Sequence, residues 1–353
     1  MAKISVIIPL YNQGHFLKDS IQSLREQTFQ DWEAIIVNDG STDNSLEMAE
    51  TLVGSDARFK IHSRVNGGLS AARNTGIDNC NGDFIALLDS DDVFKKSYLE
   101  VMVDSLNKNP TYGVSWCRSQ ETNENLQPQA PFREWDKLRV SERISTHLMA
   151  SDPSLRLVWD NPLLPCGQLW RGDLIRRLKF DENLRSNEDW DILCRFEKKG
   201  GKFGFVPGIH SYYRRHGKSL NNDNRRMIET RIRCGVKNFA SADNDQIARL
   251  SRLSLTLSSW TLDPTDPLLN EIPGSHEEDI QTFKEALSDQ KLREISTLWC
   301  GGLIRSAKPH RGTRAAKASS GVKALLVKSP TTWRIGFERS LERASDALRS
   351  RLK

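Results

Sequence analysis

Three times within its first 95 residues the chain passes from a short β-branched run into a stripe of apolar residues at helical spacing, and a fourth run closes the series. Ile4–Ile8 reads as a strand, after which Leu17, Ile21 and Leu24 share one helical face. Ala34–Val37 is a second strand, followed by Leu46, Ala49 and Leu52–Val53. Phe59–His62 is a third, followed by Leu69, Ala72 and Ile77, and Phe84–Leu88 is the fourth. Asn44 with Glu47 three residues on has the form of a capping box and sets the start of the second helix. Such alternation predicts an α/β fold, a mostly parallel sheet with helices on both faces. In open sheets of this kind ligands sit beyond the carboxyl ends of the strands, so the residues just after each run carry the functional argument.

Past Pro110 the pattern loosens. Gln120–Pro131 reads as loop, Ser141–Met149 as a short helix, and Pro162 with Pro165 as a break before a strand at Gln168–Trp170. A helix starting near Glu188 carries Trp190, Leu193 and Cys194 on one side, and Phe203–Val206 and Ser211–Tyr213 read as short strands. After Asn224 only helical periodicity remains, which places a boundary near residue 220. No internal repeat is present.

Composition removes several function classes. Of the 353 residues 37% are apolar, enough for a buried core, yet the longest apolar runs fall far short of the roughly 20 residues a membrane span needs. The N-terminus enters its first strand at once and lacks the form of a secretory signal, so a cytosolic location is expected. Six cysteines lie far apart without a C-x-x-C spacing, which argues against a zinc ribbon or redox pair and for reduced, buried thiols. The net charge of +5 is concentrated at the end: from Arg305 onward there are 13 Lys/Arg against 3 acidic residues. There Phe337, Leu341, Ala344, Leu348 and Leu352 recur at helical steps among arginines. A basic amphipathic helix of this kind can lie on an anionic membrane, at its inner face, or dock on its own domain. Aromatic residues are too sparse in the tail to suggest nucleic acid as a partner.

The four strand ends present Pro9-Leu10-Tyr11-Asn12, Asn38-Asp39-Gly40-Ser41-Thr42-Asp43, Asn66-Gly67-Gly68 and Asp89-Ser90-Asp91-Asp92. Two carboxylates at i and i+2 after an apolar strand suit a hard divalent cation, Mg²⁺ or Mn²⁺, whose shell phosphate oxygens and water complete. A calcium loop from Asp89 to Glu100 is excluded by Phe94 where glycine is needed and by Val93 at a ligand position. Gly217-Lys218-Ser219 lacks the upstream glycine of a phosphate loop, and no Gly-x-Gly-x-x-Gly is present, which disfavours a dinucleotide dehydrogenase.

These motifs in this order, with Ser70-Ala71-Ala72-Arg73-Asn74 after the third, then Glu188-Asp189-Trp190-Asp191 and Tyr213-Arg214-Arg215-His216, resemble family 2 glycosyltransferases over about residues 3–220. The resemblance implies a GT-A fold at 1–220, with a donor half at 1–95 and an acceptor half at 96–220, and a helical C-terminal region at 221–353. It implies a nucleotide diphosphate sugar as donor, most often UDP-linked, and a glycan or lipid-linked acceptor in surface polysaccharide assembly. By the same resemblance Pro9, Tyr11 and Asp39 meet base and ribose with Arg73 nearby, Asp89 and Asp91 serve the ribose–phosphate and the metal, and His216 joins the metal or diphosphate. Asp189 becomes the general base of an inverting transfer, supported by Glu188 and Trp190. An ordinary ionised aspartate suffices for that role at neutral pH. Read from residues alone, Glu188 and Asp189 are also what a helix first turn favours, and Trp190 is a core or acceptor-wall aromatic. Processive synthases of the family add a Gln-x-x-Arg-Trp motif and membrane helices, both absent here, so one transfer per encounter is expected. Two rivals stay open: a silent GT-A module that binds nucleotide or glycan, and a sugar nucleotidyltransferase, whose Gly-rich N-terminal loop is missing.

Overall fold

The computed structural model describes residues 4–129, 157, 161 and 163–239. Apart from Leu157, the described residues up to Arg226 form one unit, and Leu157 with Met227–Phe239 belongs to a second. The expected helix at Ser141–Met149, Cys300 and the basic tail lie outside the described residues.

The first unit is built on one eight-stranded mixed sheet. Its strands are β1 (Ile4–Leu10), β2 (Trp32–Asn38), β3 (Phe59–Ser63), β4 (Phe84–Leu87), β5 (Val93–Phe94), β6 (Val114–Thr122), β7 (Gln168–Arg171) and β8 (Phe203–Arg214), in the order β3-β2-β1-β4-β7-β6-β8-β5. β1, β2, β3 and β4 pair in parallel. β7 runs against both β4 and β6, while β8 is parallel to β6 and β5 opposes β8. Two reversals restore the original direction, so β6 and β8 end at the same edge as β1–β4. That edge receives the carboxyl ends of six strands.

The helices are α1 (Gly14–Arg25), α2 (Ser45–Val53), α3 (Leu69–Asp78), α4 (Tyr98–Lys108), α5 (Gly172–Leu178), α6 (Glu188–Lys198) and α7 (Asn224–Phe239). On one face of the sheet Ile4, Val6, Ile8 and Leu10 share a core with Leu17, Ile21 and Leu24 of α1 and Leu99 and Met102 of α4. Each such side chain contributes about 1.5–3 kcal/mol by leaving water. The opposite face meets α3, and the approach is close: a Cβ on Gly76 would stand 2.4 Å from Ile7 Cγ2. Pro9 is tolerated inside a central strand because β1 pairs with β4 only as far as Ile7. Among the described residues no helix is long and apolar enough to cross a membrane, and Cys80, Cys117, Cys166, Cys194 and Cys234 are buried free thiols.

Three expectations change in detail. α2 begins after Asn44 as foreseen, but no capping box forms: Asn44 is near-helical and makes no side-chain cap, and Asp43 Oδ1 accepts the Ser45 N–H at 2.9 Å instead. The two short strands at Phe203–Val206 and Ser211–Tyr213 are one strand, β8, bent where its register with β6 slips and where Gly208 takes a φ of +108°. The stretch read as loop from Gln120 begins in strand, since β6 runs to Thr122.

Candidate functional site

At the end of β2, Asp39 acts as a latch. Its carboxylate accepts N–H groups from Gly67 at 3.0 Å and Gly68 at 2.8 Å, and Arg64 Nε approaches at 3.2 Å. The latch needs Gly68 at a φ of +90°, a backbone conformation that L side chains rarely adopt. Asn12, also left-handed, ties the β1 loop to the β2 loop through Thr42, accepting its N–H at 2.8 Å. Tyr11 beside it is left 47% exposed. Pro9, expected at the base, is buried within β1 next to it.

After β4 the chain turns through Asp89-Ser90-Asp91-Asp92, clamped from below. Ser20 Oγ of α1 lies 2.8 Å from the Ser90 carbonyl and 2.7 Å from that of Asp92. Asp89 takes two hydrogen bonds from Arg73 Nη2, at 2.8 and 3.1 Å. Arg73 also donates through Nη1 to Glu188 Oε1 at 2.6 Å, and with 1% exposure it is a buried tie rather than a surface ligand. Desolvation works against its charge, yet the carboxylates of Asp89 and Glu188 hold its pKa above the ordinary value. For Asp89 burial dominates, and with Asp91 and Glu188 it raises the pKa despite Arg73.

Asp91 faces the end of β8, where His216 Nε2 lies 2.8 Å from its Oδ2. His216 Nδ1 accepts the Lys218 N–H at 3.3 Å, which makes Nε2 the proton-bearing nitrogen of the neutral ring. Arg214 fixes this junction. Its Nε donates to the Asp91 carbonyl at 2.7 Å, Nη1 to the Glu124 carbonyl at 2.9 Å and Nη2 to Asp19 at 2.7 Å, with Phe16 stacked beneath. Its backbone N–H goes to Asp92 Oδ1 at 3.0 Å. Asp92 itself is buried, and burial, then Asp91 and Asp89, push its carboxyl well above the usual range.

The N-terminus of α6 completes the edge. Asn187, with a φ of +57°, turns the chain so that Glu188 points to Arg73 while Asp189 stays partly open. Asp189 accepts the Trp190 N–H at 2.9 Å and the Asn161 amide at 2.7 Å. Its pKa is raised to about 7, first by burial and then by Glu188, with Arg73 opposing. An ordinary carboxylate was expected there. Trp190 is 1% exposed and belongs to the core that supports the helix. Arg214 was visible only as part of the Tyr213–His216 motif and Asn161 carried no signal of its own in the sequence; the strand pairing and a turn bring them to this edge.

A mixed, curled sheet flanked by helices, with an Asp-x-Asp turn and a helix-borne carboxylate at its carboxyl edge, has the GT-A glycosyltransferase fold. The structure is similar to S. aureus TarS in complex with UDP-GlcNAc, with a TM-score of 0.58 at 17% identity over 98% of this chain and 92% of that one. It is also similar to the mannosyltransferase PcManGT from Pyrobaculum calidifontis in complex with GDP-Man and Mn²⁺, with a TM-score of 0.56 at 15% identity over 90% and 87%. Residues 5–155 match the model of Glycosyl transferase family 2. In sequence it is 32% identical to the uncharacterized glycosyltransferase EpsJ of Bacillus subtilis, and that match spans 53% of each chain, about half the relative's length.

Proposed function

We propose that the chain transfers a sugar from a nucleotide diphosphate sugar to a hydroxyl of a glycan or lipid-linked acceptor, with inversion at the anomeric carbon, in the assembly of a surface polysaccharide. The observation that carries this reading is Asp189: a partly open carboxylate with pKa about 7, joined through Glu188 and Arg73 to the Asp89 turn. A base poised near neutrality is what proton removal from a hydroxyl calls for. Asp189 takes the proton as the acceptor oxygen forms its bond to C1. The bond from C1 to the diphosphate breaks, and its electron pair leaves with the nucleotide. One base and no nucleophile give a single displacement, hence inversion.

On the donor side Tyr11 stacks on the base, and Asp39, whose oxygens retain free lone pairs beyond the latch, accepts its N–H groups. The residues present fit a divalent cation. The carboxylates of Asp89, Asp91, Glu188 and Asp189 crowd one edge against the buried charge of Arg73, and Asp91, which accepts the His216 Nε2–H at 2.8 Å, keeps oxygen lone pairs for a hard cation. Among the described residues no third His, Cys, Asp or Glu joins them as a cage. Asp91 would hold the ion, with His216 orienting its carboxylate through the Nε2–H rather than ligating, and Asp89, engaged by Arg73, would serve the ribose and phosphate. When bound, Mn²⁺ or Mg²⁺ neutralises the charge that develops on the departing diphosphate. The nucleotides named for the two solved structures, UDP-GlcNAc and GDP-Man, make UDP and GDP donors the first to try.

The experiment is a thermal-shift panel of UDP, GDP, CDP and dTDP with and without Mn²⁺, followed by nucleotide release from the matching sugar donor. A ligand that binds only the native state raises stability by RT ln(1 + [L]/Kd), and UDP with Mn²⁺ is expected to give the largest shift. No shift with any nucleotide would sink the donor site. Binding without nucleotide release, with every acceptor tried, would make the chain a silent binding module.

A further inference from the structure

The carboxylate read as base has a neighbour whose geometry is itself fixed. Asn161 Nδ2 donates to Asp189 Oδ2 at 2.7 Å, while the Oδ1 of the same amide accepts the Leu163 N–H at 3.0 Å. The second bond orients the first. Turned over, the amide would set its carbonyl oxygen against a carboxylate and its NH₂ against an N–H, so the two partners together define which end faces Asp189. Asn161 is only 9% exposed, and the other Asp189 oxygen accepts the Trp190 N–H at 2.9 Å. Each carboxylate oxygen therefore has one fixed donor and a lone pair left for a hydroxyl.

We propose that Asn161 is a positioning residue for transfer: its amide holds the Asp189 carboxylate in one orientation and favours the ionised form that accepts a proton. The proposal rests on the reading of Asp189 as base. The charged groups around Asp189 work at cross purposes. Glu188 on its own helix and Asp89 on the turn after β4 drive it toward protonation, while Arg73 of α3 opposes them. Arg73 is already shared between those two carboxylates. A neutral amide adds a hydrogen bond to the charged form without adding a cation that would compete for the diphosphate.

Two substitutions separate this role from turn-making. Asn161→Asp retains an oxygen for the Leu163 N–H but loses the donor to Asp189; Asn161→Ala loses both and adds no charge. The Asp189 carboxyl is titrated by carbon-13 NMR in protein labelled at aspartate, its signal identified by its loss in Asp189→Asn. In parallel, nucleotide release from UDP- and GDP-sugars is followed against pH. Both Asn161 variants should raise the Asp189 midpoint by about one unit or more, so that release below the midpoint falls about tenfold and recovers as pH rises. If Asn161→Ala does not fold, the Asn161→Asp titration decides. An unchanged midpoint in Asn161→Asp overturns the proposal and leaves Asn161 as a turn residue, whatever happens to stability. Failure of the base reading shows separately, as Asp189→Asn releasing nucleotide at the wild-type rate.

Discussion

Between Ile4 and Asp92 the chain delivers its polar groups from the carboxyl ends of parallel strands, whereas beyond Val114 it delivers them from a helix N-terminus and from the far end of a bent strand. In the first region β1, β2 and β4 are buried along their whole length, so burial fixes their register and the loops emerge at one edge. In the second, β6 carries Arg118, Ser119, Gln120 and Glu121 and pairs with β8 through a shifted register. There polar ties do the aligning: Arg73 to Glu188, and Arg214 to the Asp91 carbonyl and to Asp92. The loops of the first region can thus be placed by packing, while the second region is aligned by a few charged hydrogen bonds.

The sharpest way to break this contrast is Asp189→Asn. We predict nucleotide binding within a few-fold of wild type by calorimetric titration, with single-turnover transfer lower by about 10²–10⁴. Near-normal transfer would move the base to Glu188 or Asp191. Next comes the tie. Arg73→Met strands Asp89 and Glu188 in a buried setting and should cost about 3–5 kcal/mol in denaturant unfolding. A loss below about 1 kcal/mol would show that packing aligns the second region as well. Asp91→Asn should leave folding intact and lower nucleotide affinity at least about tenfold in Mn²⁺, an effect absent in chelator. Equal affinity for both proteins in Mn²⁺ would remove Asp91 from the metal.

How much of this could be read from the sequence follows the same division. β1 to β4 and the stripes of α1 to α3 were legible because their periodicity is uninterrupted, and the edge holding Asp39, Asp91 and Tyr11 followed from topology. β6 escaped because a half-polar strand paired to distant residues shows no alternation. The shift at Asp189 was illegible too. It arises from burial by segments far apart in the chain and from Glu188 and Asp89 brought beside it, none of which a helix first turn announces.

Two carboxylates make the contrast visible in pH dependence. Asp56 of the first region is lowered to about 2, first by hydrogen bonds from Arg58, so its stabilising effect is present above about pH 4 and lost as pH falls toward 2. Asp189 has the opposite sign. Its pKa is raised to about 7, so the folded state holds the extra proton between about pH 4 and 7 and stability declines as pH rises through that window. Urea unfolding across pH should therefore lose its acid limb in Asp56→Asn and its neutral decline in Asp189→Asn. An unaltered neutral slope in the latter would place the Asp189 pKa near that of an exposed carboxylate. Transfer should rise with pH through the same midpoint. The smallest expected effect is Tyr11→Ala: nucleotide affinity lower by about three- to tenfold, from lost stacking, and stability within about 0.5 kcal/mol because the ring is already in solvent.

The single guanidinium of Arg73, shared between a turn near residue 89 and a helix that starts at residue 188, also bears on how such proteins can diversify. Recombination that exchanged the first hundred residues between relatives would bring new loops at this edge, but it would also bring a new partner for Glu188. Grafts that keep an arginine at position 73 and an Asp-x-Asp turn should splice onto a foreign acceptor half; grafts that lose either should not. Donor preference would then travel between lineages as a cassette with one obligatory plug, and a library of chimeras joined near residue 95 would show it as survival confined to those that retain the pair.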